Sequence, residues 1–97
     1  MARFVNTGDL LLDAHILVCG DRQKDYGDKI KNHSNIAKLW SAYLDVSVSA
    51  HDVSLMMVLL KMARTKLGKV SLDTYIDMSA YSAIAGEIKF DEEEKNK

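Results

Sequence analysis

Proline is absent from the whole chain, and the five glycines lie mainly where apolar helical patterns end. Proline and glycine are the residues that most often interrupt a helix, so this distribution favours helix throughout. Apolar residues also recur at three- and four-residue spacing along most of the sequence, which is the period of an amphipathic helix. These features predict an all-α fold, which we picture as a four-helix bundle.

The length and composition predict one domain. The chain has 97 residues, of which 47% are hydrophobic, and this is enough for a single compact core. We expect one helical domain over residues 1–97 with its core at about 8–88. Residues 89–97 carry mostly charges, so we expect a solvated, disordered tail.

Charge and cysteine content exclude several classes of protein. The formal net charge is -1, so no basic field is available for binding nucleic acid without sequence specificity. The single cysteine, Cys19, has no partner for a disulfide, and no zinc-ligand spacing occurs. The apolar run Val53 to Leu60 is far shorter than the roughly 20 residues that cross a bilayer, and the polar N-terminal residues do not resemble a signal peptide. We therefore expect a soluble, cytoplasmic protein.

Two helices are predicted in the first half of the chain. The first begins near Thr7 or Asp9 and ends at Gly20. The second runs from about Lys29 to Leu44. The residues expected to face the core are Leu11, Leu12, Ile16 and Cys19 in the first helix, and Ile30, His33, Ile36, Ala37, Trp40, Tyr43 and Leu44 in the second.

The third predicted helix begins at a capping-box pattern, Ser49 to Asp52. It is apolar on nearly all sides from Val53 to Ala63, so we expect it to be the central and most buried helix. An ammonium on such a helix is costly unless it is paired or reaches a water-filled cleft, which makes Lys61 informative. Asp52 is interpreted first as a charge favoured by the helix dipole and second as a metal ligand.

The fourth predicted helix follows Gly68, is capped by Ser71 and extends to about Glu87. Its many alanines and serines would let a neighbouring helix approach closely. Asp73, Asp77 and Tyr81 are four residues apart and therefore lie on one face. The two carboxylates would repel each other, so we expect either a divalent cation or the basic residues Lys61 and Arg64 to offset their charge. The sequence alone favours these two explanations about equally.

Further candidate ligand-binding residues lie in the first loop and in the second helix. Arg22, Asp25 and Tyr26 offer a guanidinium group, a carboxylate and a ring for stacking on a base, although an ordinary solvated connection is the simpler explanation. Asn32 could reach a ligand from the second helix. His33 and Trp40 lie on its apolar face, where a structural role is the simpler interpretation.

Four blocks of sequence together resemble a known family. They are RQKDYGD at 22–28, NHSNIAKLWSAYL at 32–44, DVSLMMVLLKMAR at 52–64 and LDTYIDMSAY at 72–81. In this order they resemble a family of small phage-encoded helical domains, which is similar in turn to the all-α nucleoside triphosphate pyrophosphohydrolases of the MazG-like and dimeric dUTPase-like type. Those enzymes are oligomeric helical bundles that bind Mg²⁺ through acidic residues on two helices. This chain has an acidic pair only on its last predicted helix, and Asn32, His33 and Asn35 stand where the enzymes have carboxylates.

The resemblance implies a Mg²⁺-dependent nucleotide pyrophosphohydrolase, assembled as a dimer or tetramer, in the cytoplasm of phage-infected cells. Asp73 and Asp77, with Asp52, would hold the metal ion, and Lys61 would act with them in catalysis. Substrate contacts would come from Arg22, Asp25, Tyr26, Asn32, His33, Trp40, Arg64 and Tyr81. The alternatives are a phage protein without enzymatic activity that binds a nucleotide or a host protein, and a helical oligomerisation module whose charges are all structural.

Overall fold

A computed structural model describes residues 5–20, 28–68 and 70–95 of the chain. These ranges contain four α-helices and no strand: α1 (Thr7–Cys19), α2 (Lys29–Leu44), α3 (Ala50–Arg64) and α4 (Leu72–Lys95). The prediction of an all-α fold with four helices is therefore confirmed. Within the described ranges, no helix is both long enough and apolar enough to cross a membrane.

Side-chain caps define where the first three helices begin. The predicted capping box of α3 is present, since the Asp52 N–H donates to Ser49 Oγ and the Ser49 N–H donates to Asp52 Oδ2, both at 3.0 Å. Helix α2 begins after Asp28, whose carboxylate accepts the Ile30 N–H at 2.8 Å. The cap of α1 is Asn6, rather than Thr7 or Asp9 as predicted, because Asn6 accepts the Asp9 N–H at 2.9 Å.

The helix ends follow the local sequence only in part. Gly68 lies in the turn between α3 and α4 with a φ of 57°, a conformation that favours glycine. Helix α4 continues to Lys95, beyond the end that we predicted near Glu87 and through most of the expected tail. Residues 91–95 are aspartate, glutamate and lysine, and glutamate and lysine are good helix formers that need no apolar contact to remain helical.

Helix α4, rather than α3, is the central element. It contacts each of the other three helices and packs most extensively against α3. Its buried residues include Ala80 and Ala85, whose small side chains allow the close approach that the sequence predicted. Ser54 of α3 is fully buried, and its hydroxyl donates to the Tyr81 carbonyl of α4 at 2.7 Å. This bond ties the two helices together at the middle of their interface.

The prediction that α3 is the most buried helix is wrong. Only Val53 and Ser54 are buried in α3, whereas Leu59 is 61% exposed. A helix that is apolar on all sides can bury one side against α4 and α2 and still present apolar residues on the other. Four helices of this length leave that second side uncovered.

The predicted core faces of α1 and α2 also need correction. In α1 the four residues expected in the core are exposed instead: Leu11, Leu12, Ile16 and Cys19. Ala14 is buried, because α1 packs on α4 through the side that carries this small residue. In α2, His33 and Ala37 are buried as predicted.

The last turn of α2 does not join the core. Tyr43 is 89% exposed and Leu44 is also exposed, contrary to prediction. The connection to α3 folds back onto Ser41 instead, whose hydroxyl accepts the Val48 N–H at 2.9 Å and donates to the Val48 carbonyl at 3.1 Å. The connection therefore packs on the Ser41 side of the helix and leaves the Tyr43 side in solvent.

Candidate functional site

The predicted meeting of basic and acidic residues near Gly68 is present as an ion pair. Lys61 Nζ lies 3.0 Å from Asp77 Oδ2, and the two side chains are 15% and 20% exposed. Lys61 comes from the last turn of α3 and Asp77 from the second turn of α4, so the pair joins these helices beside their connecting turn. The ammonium on the apolar helix is thus paired, which offsets part of the cost of its partial burial.

Asp77 also lines a cavity between α1 and α4. The cavity has a volume of about 450 Å³, and its polar lining is formed by Asp13 of α1 with Asp73 and Asp77 of α4. Its apolar wall consists of Ile16, Leu17 and Ile76. Three carboxylates and an apolar wall thus line one space that is open to solvent.

We call this space the α1–α4 cavity. Two of its carboxylates, Asp73 and Asp77, differ in whether a cation neutralises them. Asp77 is paired with Lys61, whereas Asp73 is exposed and makes no ion pair with any residue that the structure describes. Arg64, predicted to act beside Lys61, is exposed and likewise forms no ion pair within the described ranges. No three histidine, cysteine, aspartate or glutamate side chains in the described part of the chain lie close enough together to hold a metal ion by themselves.

His33 and Tyr81, both predicted to contact substrate, lie together at a different place. Their rings are 6.1 Å apart between α2 and α4. His33 is buried, and its Nδ1 donates to the Lys29 carbonyl at 2.7 Å, which leaves Nε2 as an acceptor with no hydrogen-bond partner. Neither residue lines the α1–α4 cavity.

The remaining predicted residues are dispersed. Asn32 is exposed on α2 and Trp40 is half-buried, and neither lines the α1–α4 cavity. Asp52, predicted as a metal ligand, lies in the first turn of α3, at the opposite end of that helix from Lys61. Hydrogen bonds from the Ser49 backbone N–H and side chain hold the pKa of Asp52 below its ordinary value. Arg22, Asp25 and Tyr26 lie outside the described residues.

Asp13 is the residue that the sequence analysis missed. It was not among the predicted site residues, yet it is half-buried and lines the α1–α4 cavity. A signal was present in the sequence, since Leu10, Asp13, Ala14 and Leu17 share one helical face. A carboxylate on the face that packs inward was therefore detectable once the orientation of α1 was known.

Comparison with known proteins shows a family relationship. A family model described as "Domain of unknown function (DUF6378)" matches residues 9–89. The Gene 55 protein of Mycobacterium phage L5 is 37% identical over 87 residues, which cover 89% of this chain and 56% of that protein. The Gene 55 protein of Mycobacterium phage D29 is 38% identical over 73 residues, which cover 75% of this chain and 48% of that protein. The chain thus spans about half the length of the curated relatives it matches, and no solved structure matches it.

Proposed function

Since this chain belongs to the DUF6378 family and its curated relatives are phage proteins, we propose that it is a Mg²⁺-dependent nucleotide pyrophosphohydrolase of MazG-like type. Its substrates would be nucleoside triphosphates or their deoxy forms in the cytoplasm of the infected cell. The observation that supports this proposal is that Asp13, Asp73 and Asp77 line one cavity, with Lys61 paired to Asp77.

The side chains around the α1–α4 cavity suit a hard cation. Mg²⁺ is typically held by one or two carboxylates together with substrate phosphates and waters, rather than by a complete protein cage. Asp73 and Asp77 would be those carboxylates, with Asp13 facing them from α1. A site of this kind would need the nucleotide for completion. When bound, Mg²⁺ would neutralise phosphate charge and lower the pKa of a bound water.

The protein's own residues have distinct tasks in this proposal. Lys61 exchanges its partner Asp77 for a phosphate oxygen when the substrate enters, and exposed Arg64 reaches the outer phosphates as a bidentate donor. Ile16, Leu17 and Ile76 would give the substrate an apolar wall. Arg22 and Tyr26, which follow α1 in the sequence, would add a phosphate contact and a stacking surface.

The test is phosphorus NMR of the purified protein with Mg²⁺ and a panel of ribo- and deoxynucleoside triphosphates. We expect pyrophosphate to appear from one or a few of them, and to disappear with a chelator or with Asp77→Asn. Circular dichroism of Asp77→Asn shows whether the variant is folded under the assay conditions. Absence of turnover of every triphosphate by the folded wild-type protein would contradict the enzyme proposal.

A second candidate function, a nucleotide-binding protein without catalysis, is favoured by one observation. Lys61 already neutralises Asp77 at 3.0 Å, so one of the two metal-binding carboxylates is engaged without any ligand. A binder of this kind needs Arg64 for the phosphates but not Asp73. It would broaden particular phosphate resonances without turnover, and Arg64→Ala would remove that broadening whereas Asp73→Asn would not.

A further inference from the structure

The solvent-facing side of α3 is apolar along nearly its whole length. Large side chains on this side are between 38% and 61% exposed: Leu55, Met56, Leu59 and Met62. Monomeric proteins rarely expose contiguous apolar patches of this kind unless the patch binds something. A helix that is apolar all round is normally covered all round. In the single chain, the side of α3 that carries these residues is left exposed.

The exposed residues form one stripe, which we call the outer stripe: Leu55, Met56, Leu59 and Met62. Residues three and four apart are neighbours on a helix, so these side chains lie in a line opposite buried Val53 and Ser54. The stripe is framed by opposite charges, with exposed Asp52 at its N-terminal end and exposed Lys66 just beyond its C-terminal end. Leu59 stands midway between those two charges.

We propose that the outer stripe is the interface of a homodimer, in which the α3 helices of two copies pack antiparallel about a two-fold axis at Leu59. In this register Asp52 faces Lys66 of the partner subunit at both ends, so both pairs of opposite charges meet. Met56 faces Met62 of the partner subunit, and Leu55 fits against the small Ala63 of the partner subunit. A second copy is the occupant that the stripe's own charges complement, since a two-fold interface must match itself.

The first test is the mass of the intact protein in solution, measured by sedimentation equilibrium. We expect twice the chain mass for the wild type and one chain mass for Leu59→Glu, with the helical circular dichroism of the single chain retained because Leu59 is exposed there. Leu39→Glu is the matched control, since Leu39 is 69% exposed on α2, away from the stripe, and it should stay dimeric. A monomeric wild type at all concentrations up to millimolar would overturn the proposal and assign the stripe to another protein.

A second test does not depend on whether Leu59→Glu folds. Helices packed about 8–10 Å apart bring facing Cα atoms to about 3.5–5.5 Å, and the upper part of this range allows a disulfide. In a Cys19→Ser background, Leu59→Cys should therefore cross-link two subunits rapidly on mild oxidation, whereas Leu55→Cys should not, because it faces Ala63 of the partner subunit. Equal cross-linking of the two variants, or none at position 59, would overturn the antiparallel register.

Discussion

Asp77→Asn removes one charge of the Lys61–Asp77 pair and keeps the size of the side chain and one acceptor oxygen. At 3.0 Å between Nζ and Oδ2, an effective dielectric constant of about 20 gives roughly 5 kcal/mol of attraction, of which desolvation of the two ions cancels a large part. Removing one partner of a fully buried pair costs about 3–5 kcal/mol, and an exposed pair contributes about 0–1 kcal/mol.

The side chains of Lys61 and Asp77 are 15% and 20% exposed, which places the pair between these two limits. We therefore expect Asp77→Asn to lower the free energy of unfolding by about 2 kcal/mol, or the melting temperature by roughly 8–16 °C for a domain of this size. Lys61→Met should cost a similar amount, because it leaves the half-buried Asp77 without its cation. The double variant should cost about 2 kcal/mol rather than the sum of the two, since neither charge is left unpaired.

The assay is urea unfolding followed by circular dichroism, for the three variants and the wild type at one protein concentration. The matched control is Glu87→Gln, which removes the looser pair Lys29–Glu87, at 3.4 Å with side chains 30% and 49% exposed. This control should cost less than about 1 kcal/mol. If Asp77→Asn destabilised the protein no more than Glu87→Gln, or if the two single losses were additive, the pair would not stabilise the α3–α4 corner as argued.

Two further predictions concern α3. The lowered pKa of Asp52 means that its carboxylate stabilises the fold above about pH 4, and that this contribution disappears as pH falls through the folded-state pKa. Asp52→Asn should therefore melt below the wild type at neutral pH, and thermal melts should converge in acid; a constant gap would contradict this. Ser54→Ala should cost about 1 kcal/mol in urea unfolding, because it removes the buried bond to the Tyr81 carbonyl, and an unchanged midpoint would show that the bond contributes nothing.

The helix boundaries were largely predictable because they depend on neighbouring residues. The Ser49–Asp52 box and the Lys29–Leu44 helix need only the side chains that form them. The end of α4 was less predictable, since charged residues that suit a disordered tail also suit an exposed helix. Helix existence was therefore encoded locally, and helix length was not.

Burial was less predictable than secondary structure. Helices α1 and α3 are apolar on several sides, so periodicity could not select which side packs on α4. The side that is buried carries Ala14 in α1, and Val53 and Ser54 in α3. For the candidate site, the cost of an ammonium on an apolar helix indicated that Lys61 is either paired or reaches a water-filled cleft, and the structure shows it paired with Asp77. Asp13 was missed because its inward position follows from the orientation of α1, which only the packed structure defines.

The measurement that tests the α1–α4 cavity most directly is turnover of Mg²⁺–nucleoside triphosphate by Asp73→Asn. Asp73 lines the cavity but makes no ion pair within the described ranges, so its loss should affect chemistry without the destabilisation expected for Asp77→Asn. Asp45→Asn is the control, because Asp45 does not line the cavity and asparagine tolerates its φ of 56°. We expect pyrophosphate release by the wild type and Asp45→Asn and none by folded Asp73→Asn. Equal release by all three proteins would place the reaction elsewhere and contradict the proposed site.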